Sequence, residues 1–225
     1  MLKIYNVLPS AHGLNRTRIS AVTLCALLAT MTPTSPSFAI DTENPDWPCV
    51  QRKVETLTAT QIWDGPPISG EEKWWKDEDV RKLVPVLTSR RIPIEEAEAE
   101  IEKIGEATPE AQRDTRMTLL FAGVLDETNK VRRRVVAGIE RFQKRQRARA
   151  EALEKKGVEL AELHQRADDG EKISSLIDDR QRSYDWDARI FKERQDNLPI
   201  ACEIPVEIEQ RAFSIGRTIR FQMSE

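Results

Sequence analysis

From about Thr128 to Ala167, apolar residues return every three or four positions: Val131, Val135, Ile139, Phe142, Leu153, Leu160 and Leu163. That spacing marks one face of a long α-helix. The stripe runs into Ala167-Asp168-Asp169-Gly170, a turn sequence. It resumes as Ile173, Leu176, Ile177, Tyr184, Ile190 and Phe191, up to Leu198. Two amphipathic helices joined by a tight turn fold into an antiparallel hairpin. A fold-back near Asp169 pairs positions whose numbers sum to about 339, setting Leu163 by Leu176, Leu153 by Trp186 and Phe142 by Leu198. The stripe is only partly apolar, since Gln146, Arg149 and Lys156 fall on it.

The rest of the chain reads the same way. Thr58 caps a turn or two through Trp63, which Asp64-Gly65-Pro66-Pro67 ends. Val80, Leu83, Val84 and Leu87 mark a helix from Asp77 or Asp79 that Pro85 kinks or splits. Pro93 opens another, with Glu95 and Glu96 in its first turn and Ile94, Ala97, Ile101 and Ile104 on one face. Thr108-Pro109-Glu110-Ala111 reads as a cap with proline at the first helical position, starting a helix with Met117, Leu120, Phe121, Val124 and Leu125 that continues or bends near 126–128. A last helix is expected over about 203–222, with Pro205 in its first turn. The expected fold is all-α: an elongated helical bundle built on a long antiparallel helical hairpin over about 128–198. Residues 40–76 form an extended arm and a Trp-rich loop, and 77–225 form the helical domain.

The N-terminus adds a compartment. Lys3, Arg16 and Arg18 precede ISAVTLCALLATM at 19–31, prolines 33 and 36, and Ser37-Phe38-Ala39. A basic start, an apolar run of about 13 residues and a small-residue site describe a cleavable signal peptide over 1–39, the run being short of the roughly 20 residues of a membrane span. Arg16-Thr17-Arg18 is not a twin-arginine pair, so the general secretory route and the periplasm are expected. Cleavage leaves 186 residues with 32 Lys and Arg against 38 Asp and Glu, from 35 against 38 in the whole chain. A mildly acidic surface of mixed sign argues against a general nucleic-acid binder; the runs 132–134 and 141–149 read as solvated helix faces. No integral membrane segment is expected after cleavage.

Cleavage also takes Cys25, leaving Cys49 and Cys202 as an even pair in an oxidising compartment. A disulfide between them staples the arm to the last helix, with an upper contribution of about 5 kcal/mol from chain entropy. His12 goes as well, and His164 alone completes neither a zinc site nor a Ser-His-Asp triad with a G-x-S-x-G elbow. No P-loop or dinucleotide fingerprint is present. Cofactors and metals are therefore expected to be none, and catalytic residues none. Trp74 and Trp75, flanked by Lys73, Lys76 and Asp77 to Asp79, together with Trp63, are the candidate partner-binding residues; packing of the arm and loop is the competing reading.

Two resemblances accompany this reading. Asp46-Trp47-Pro48-Cys49-Val50-Gln51, Ile62-Trp63-Asp64-Gly65-Pro66 and Cys202-Glu203-Ile204-Pro205-Val206 with Ile208-Glu209-Gln210-Arg211 resemble an uncharacterised family of exported helical proteins in alphaproteobacteria. That resemblance implies a periplasmic location and brings no activity. Leu57-Thr58-Ala59-Thr60-Gln61 is similar to the L-T-x-x-Q pentapeptide of small periplasmic chaperones of the Spy/CpxP type, which carry it twice within longer helices; an N-capping threonine accounts for the same letters. The expected function is a non-enzymatic periplasmic interaction, adaptor or envelope-support protein whose partner is another periplasmic or envelope protein. A chaperone-like holdase and a carboxylate-dependent enzyme acting on envelope polymers are the alternatives.

Overall fold

In the computed structural model, residues 44–224 are described, and all of their regular structure is helical. The signal peptide expected over 1–39, with Cys25 and His12, lies outside the described residues. Six α-helices follow in order: α1 (Ala59–Ile62), α2 (Glu78–Thr88), α3 (Ile94–Ala107), α4 (Glu110–Asp168), α5 (Ser174–Asp196) and α6 (Leu198–Phe221). A 3-10 turn, Trp74–Lys76, leads into α2.

The two stretches expected on either side of residues 126–128 are one helix. α4 has 59 residues, about 88 Å at 1.5 Å per residue. Nothing in Asp126-Glu127-Thr128 breaks it, because Thr128 is buried on the same face as Val124 and Arg132. Its first turns supply Met117, Leu120, Phe121 and Val124 to the main core. There they meet Val80, Val84 and Leu87 of α2, Ala97 and Ile101 of α3, and Ala212, Ile215 and Ile219 of α6. Gly216 lets α1 and Phe121 approach α6, since a Cβ there would lie 2.8 Å from the Ile62 carbonyl oxygen and 3.1 Å from the Phe121 ring. Pro85 does not split α2; it sits on the exposed face, and the helix runs on to Thr88.

α5 returns along α4 in the expected register. Lys156 Nζ donates to Ser183 Oγ at 3.1 Å and Arg180 pairs with Glu159 at 3.5 Å, both at a sum of 339. The seam is apolar only in part: in the hairpin's half of α4, Leu160 and Leu163 are buried, and Gln146 with them. No α5 residue is buried, and the polar residues on the stripe carry the pairing. Gln146, 2% exposed, donates to the Phe191 carbonyl and Gln195 Oε1, both at 3.3 Å, and Lys156 also pairs with Asp187. Trp186, expected beside Leu153, is 60% exposed and has the Arg189 guanidinium over its ring. Asn197 separates α5 from α6, which starts five residues earlier than expected and takes Pro199 in its first turn.

The helix ends are closed by side chains. Thr108, expected as the cap of α4, donates through Oγ1 to the Ile104 carbonyl at 2.6 Å and so closes α3; Pro109 occupies the capping position of α4. Arg113 Nε reaches the Gly105 carbonyl at 3.0 Å, and Arg211 reaches those of Leu87 and Ile92 at 2.7 and 2.8 Å. The carbonyls of Gly105 and Leu87 belong to the last turns of α3 and α2, where a helix leaves such groups unpaired, and that of Ile92 to the loop between them. At the start of α2, Asp77 Oδ1 accepts from the N–H groups of Asp79 and Val80, both at 3.1 Å. Arg116 of α4 donates to the same carboxylate from Nε and Nη2, at 3.0 and 3.1 Å.

Burial works to raise the Asp77 pKa, and the bonds from Arg116, Val80 and Asp79 outweigh it and hold the carboxyl below its ordinary value. A carboxylate whose folded pKa is depressed stabilises the fold above its unfolded pKa and loses that contribution as pH falls through the folded value. Asp77→Ala should lower the unfolding free energy by about 1–3 kcal/mol at pH 7. The difference from the parent protein should shrink below about pH 4 in urea titrations. A pH-independent difference would assign Asp77 no ionic role.

Candidate functional site

Residues 44–57 form an extended arm with no strand partner, so its backbone polar groups need other partners. Side chains of α4 provide them. Asn129 accepts the Leu57 N–H at 2.7 Å and donates to the Leu57 carbonyl at 3.0 Å, matching both groups of one residue. Arg132 Nε donates to the Val54 carbonyl at 2.8 Å. Nearer the start of the arm, Glu140 accepts from Asn44 at 3.3 Å and pairs with Lys53 at 2.7 Å, while Arg147 pairs with Asp46. Trp47 turns inward, 3% exposed, and its Nε1 donates to the Gln51 carbonyl at 2.6 Å.

The disulfide fixes this path. Cys49 and Cys202 are bonded, with Cα atoms 5.5 Å apart and a sequence separation of 153. Around it, Trp47, Val136, Ile139 and Leu198 form a second core, with Val135, Phe142 and Ala201 packed against it. Phe142 and Leu198, expected to be neighbours, both belong to this region. The arm thus helps to build both cores, since Leu57, Ile62 and Trp63 belong to the first.

Between the arm, α1 and α6 lies a cleft of about 430 Å³. Its apolar walls include Trp47, Val54, Ile62, Pro205, Val206 and Phe213, and Cys202 borders it. Arg132 enters from α4, only 5% exposed. Its Nη1 donates to the Pro205 carbonyl at 2.7 Å and lies 3.5 Å from Glu209. Burial pushes this guanidinium below its ordinary pKa and Glu209 pulls it back up; an arginine remains protonated throughout. Arg52, Gln51, Gln61 and Gln210 complete the polar part of the lining. Three segments far apart in sequence converge here, through Trp47 and Gln51, Ile62, and Cys202 to Gln210.

Arg132 was hidden inside a run expected to be a solvated helix face. Arg133 and Arg134 are exposed as expected; Arg132 is not. Its position gives the reason, since it stands four residues from both Thr128 and Val136, which are buried. The charge pattern concealed what the helical period marks.

The candidate tryptophans separate. Trp63 is 9% exposed, stacked on Phe121 with ring centroids 4.1 Å apart, and its Nε1 donates to the Pro66 carbonyl at 2.8 Å. Its ring belongs to the main core and offers no open face. Trp74 packs against that core, donates to Asp126 Oδ2 at 3.2 Å and has Lys130 5.8 Å from its ring centre. Gly123 makes room for it, as a Cβ there would fall 3.0 Å from the indole. Trp75 is half exposed and edge-on to Trp74 at 6.0 Å. The pentapeptide Leu57 to Gln61 closes a helix start: the Gln61 side chain accepts the Thr58 N–H at 2.7 Å.

His164 is exposed near the hairpin tip. Among the described residues no group of three or more His, Cys, Asp or Glu side chains is placed to hold a metal ion. No helix among them is long and apolar enough to cross a membrane. No family model, curated protein or solved structure matches the chain.

Replacing both cysteines, Cys49→Ala with Cys202→Ala, should lower the unfolding free energy by about 2–5 kcal/mol. Urea titrations at matched protein concentration measure this. A change below about 1 kcal/mol would mean that the α4 side chains hold the arm without the staple.

Proposed function

We propose that this chain is a non-enzymatic interaction protein of the periplasm, an adaptor or envelope support delivered by the general secretory route. The observation that carries the reading is the α4–α5 hairpin. Beyond the second core α4 continues to Asp168 and α5 returns, yet of the 23 residues of α5 none is buried. Beyond Ile139 the hairpin fully buries Gln146, Leu160 and Leu163 of α4 and no residue of α5, so most of its surface is presented to solvent. It presents Val158, Leu176 and Trp186, which are 55%, 39% and 60% exposed. Trp75, half exposed on the other side of the first core, is a second contact candidate. Tryptophan combines a large contact area with few rotors and is enriched among residues that dominate binding energy.

Export and the periplasmic address rest on the basic start, the apolar run and the small-residue site of residues 1–39, and the disulfide is compatible with an oxidising compartment. The partner is another periplasmic or envelope protein. A photoreactive side chain at Val158 or Trp186, introduced into the full chain in cells, should give one discrete cross-linked adduct that is missing when it is placed at Lys103. Trp186→Ala should weaken that partner's binding by about 2 kcal/mol while leaving stability within about 0.5 kcal/mol. Adducts of equal yield from all three positions, or from none, would count against an arm built for contact.

A further inference from the structure

The cleft beside the disulfide combines features that surface grooves seldom share. Its walls are apolar, its volume of about 430 Å³ is within the range of small-molecule sites, and a charged side chain is buried in it. That side chain, Arg132, has incomplete compensation. A guanidinium has five N–H donors. Here Nε and Nη1 go to the Val54 and Pro205 carbonyls, which are neutral, and the one carboxylate nearby, Glu209, is half exposed and 3.5 Å away. A buried cation held by neutral groups is expensive unless an anion reaches it. Arg52 stands on the same lining, so the cleft carries two cations against the single carboxylate of Glu209.

We propose that the cleft binds an organic acid with an apolar body, its carboxylate directed to Arg132 and its hydrocarbon part lying between Trp47 and Val54 of the arm and Val206 and Phe213 of α6. The ligand class follows from the two halves of the site. A wholly apolar guest would leave Arg132 as poorly compensated as before. A small hydrophilic anion would leave the apolar walls, including the 46% exposed Phe213, in water. A fatty-acid-like carboxylate satisfies both, and its head meets a planar donor group suited to carboxylates. The disulfide keeps the arm wall at its distance from α6, so the cleft does not have to be assembled by the ligand. This inference concerns the cleft alone and stands or falls separately from the contact role of the hairpin.

Isothermal titration of the oxidised mature chain with laurate, below its micellar concentration, tests it. Dodecanol serves as the neutral counterpart. Laurate should saturate at one per chain and bind at least tenfold more tightly than dodecanol. Val206→Trp, which fills the cleft and keeps Arg132 in the chain, should abolish laurate binding while the thermal melt stays within a few degrees of the parent's. Arg132→Gln should bring laurate down to the affinity of dodecanol. Because Arg132 also ties down the arm, that variant is read only if its melt is cooperative, and Val206→Trp decides otherwise. Absence of saturable laurate binding, equal affinity for laurate and dodecanol, or binding unchanged in Val206→Trp would each overturn the proposal.

Discussion

The bond between Cys49 and Cys202 joins a segment that has no secondary structure to the first turns of the last helix. Without it the arm is held by side-chain hydrogen bonds and ion pairs to α4, by Trp47 and, at its far end, by Leu57 in the main core. With it, Trp47, Val136, Ile139 and Leu198 close around the sulfurs as a second core. That core stands where α4 leaves the main core and the hairpin begins. It also holds α6 in place after the break at Asn197, so that its buried stripe, from Leu198 and Cys202 through Ile208 to Ile219, runs through both cores. The cleft is the gap left between the stapled arm and α6.

Polar side chains in this protein do much of what backbone pairing does elsewhere. Asn129 meets both backbone groups of Leu57, Arg132 bridges the arm to α6, and Arg113 and Arg211 close the ends of α3 and α2. Burying such groups is tolerable because their donors find carbonyls. This explains how a chain with 32% charged residues builds two cores. It also explains the hairpin, where Gln146 and Lys156 lie on the seam and no α5 residue is buried. A seam of that kind fixes register without burying much apolar surface, and it leaves most of the hairpin available to solvent.

The helical period was legible wherever one face was buried, which is why the class and the hairpin register could be read from the residues, while the staple followed from the even pair of cysteines. The junction at 126–128 was not, because Asp-Glu-Thr suits a turn or a cap as well as a continuing helix. Thr108 was misplaced by one role, since the same hydroxyl suits the end of one helix and the start of the next. Trp186 was assigned inward on register alone, although a one-residue step moves a side chain by about 100° around a helix. The cleft was the least visible feature. Its walls come from three segments far apart in sequence, and its buried cation is disguised by two exposed arginines beside it.

The central claim is that the disulfide holds the arm and the start of α6 together as one unit distinct from the main core and the hairpin. Amide hydrogen exchange on the oxidised and reduced protein under native conditions measures that unit directly. On reduction, protection should fall in residues 47–57 and in α6 from Leu198 to about Val206, while α2, α3 and the α4 segment around Phe121 keep theirs. Equal loss across all helices, or no change in the arm, would contradict the account.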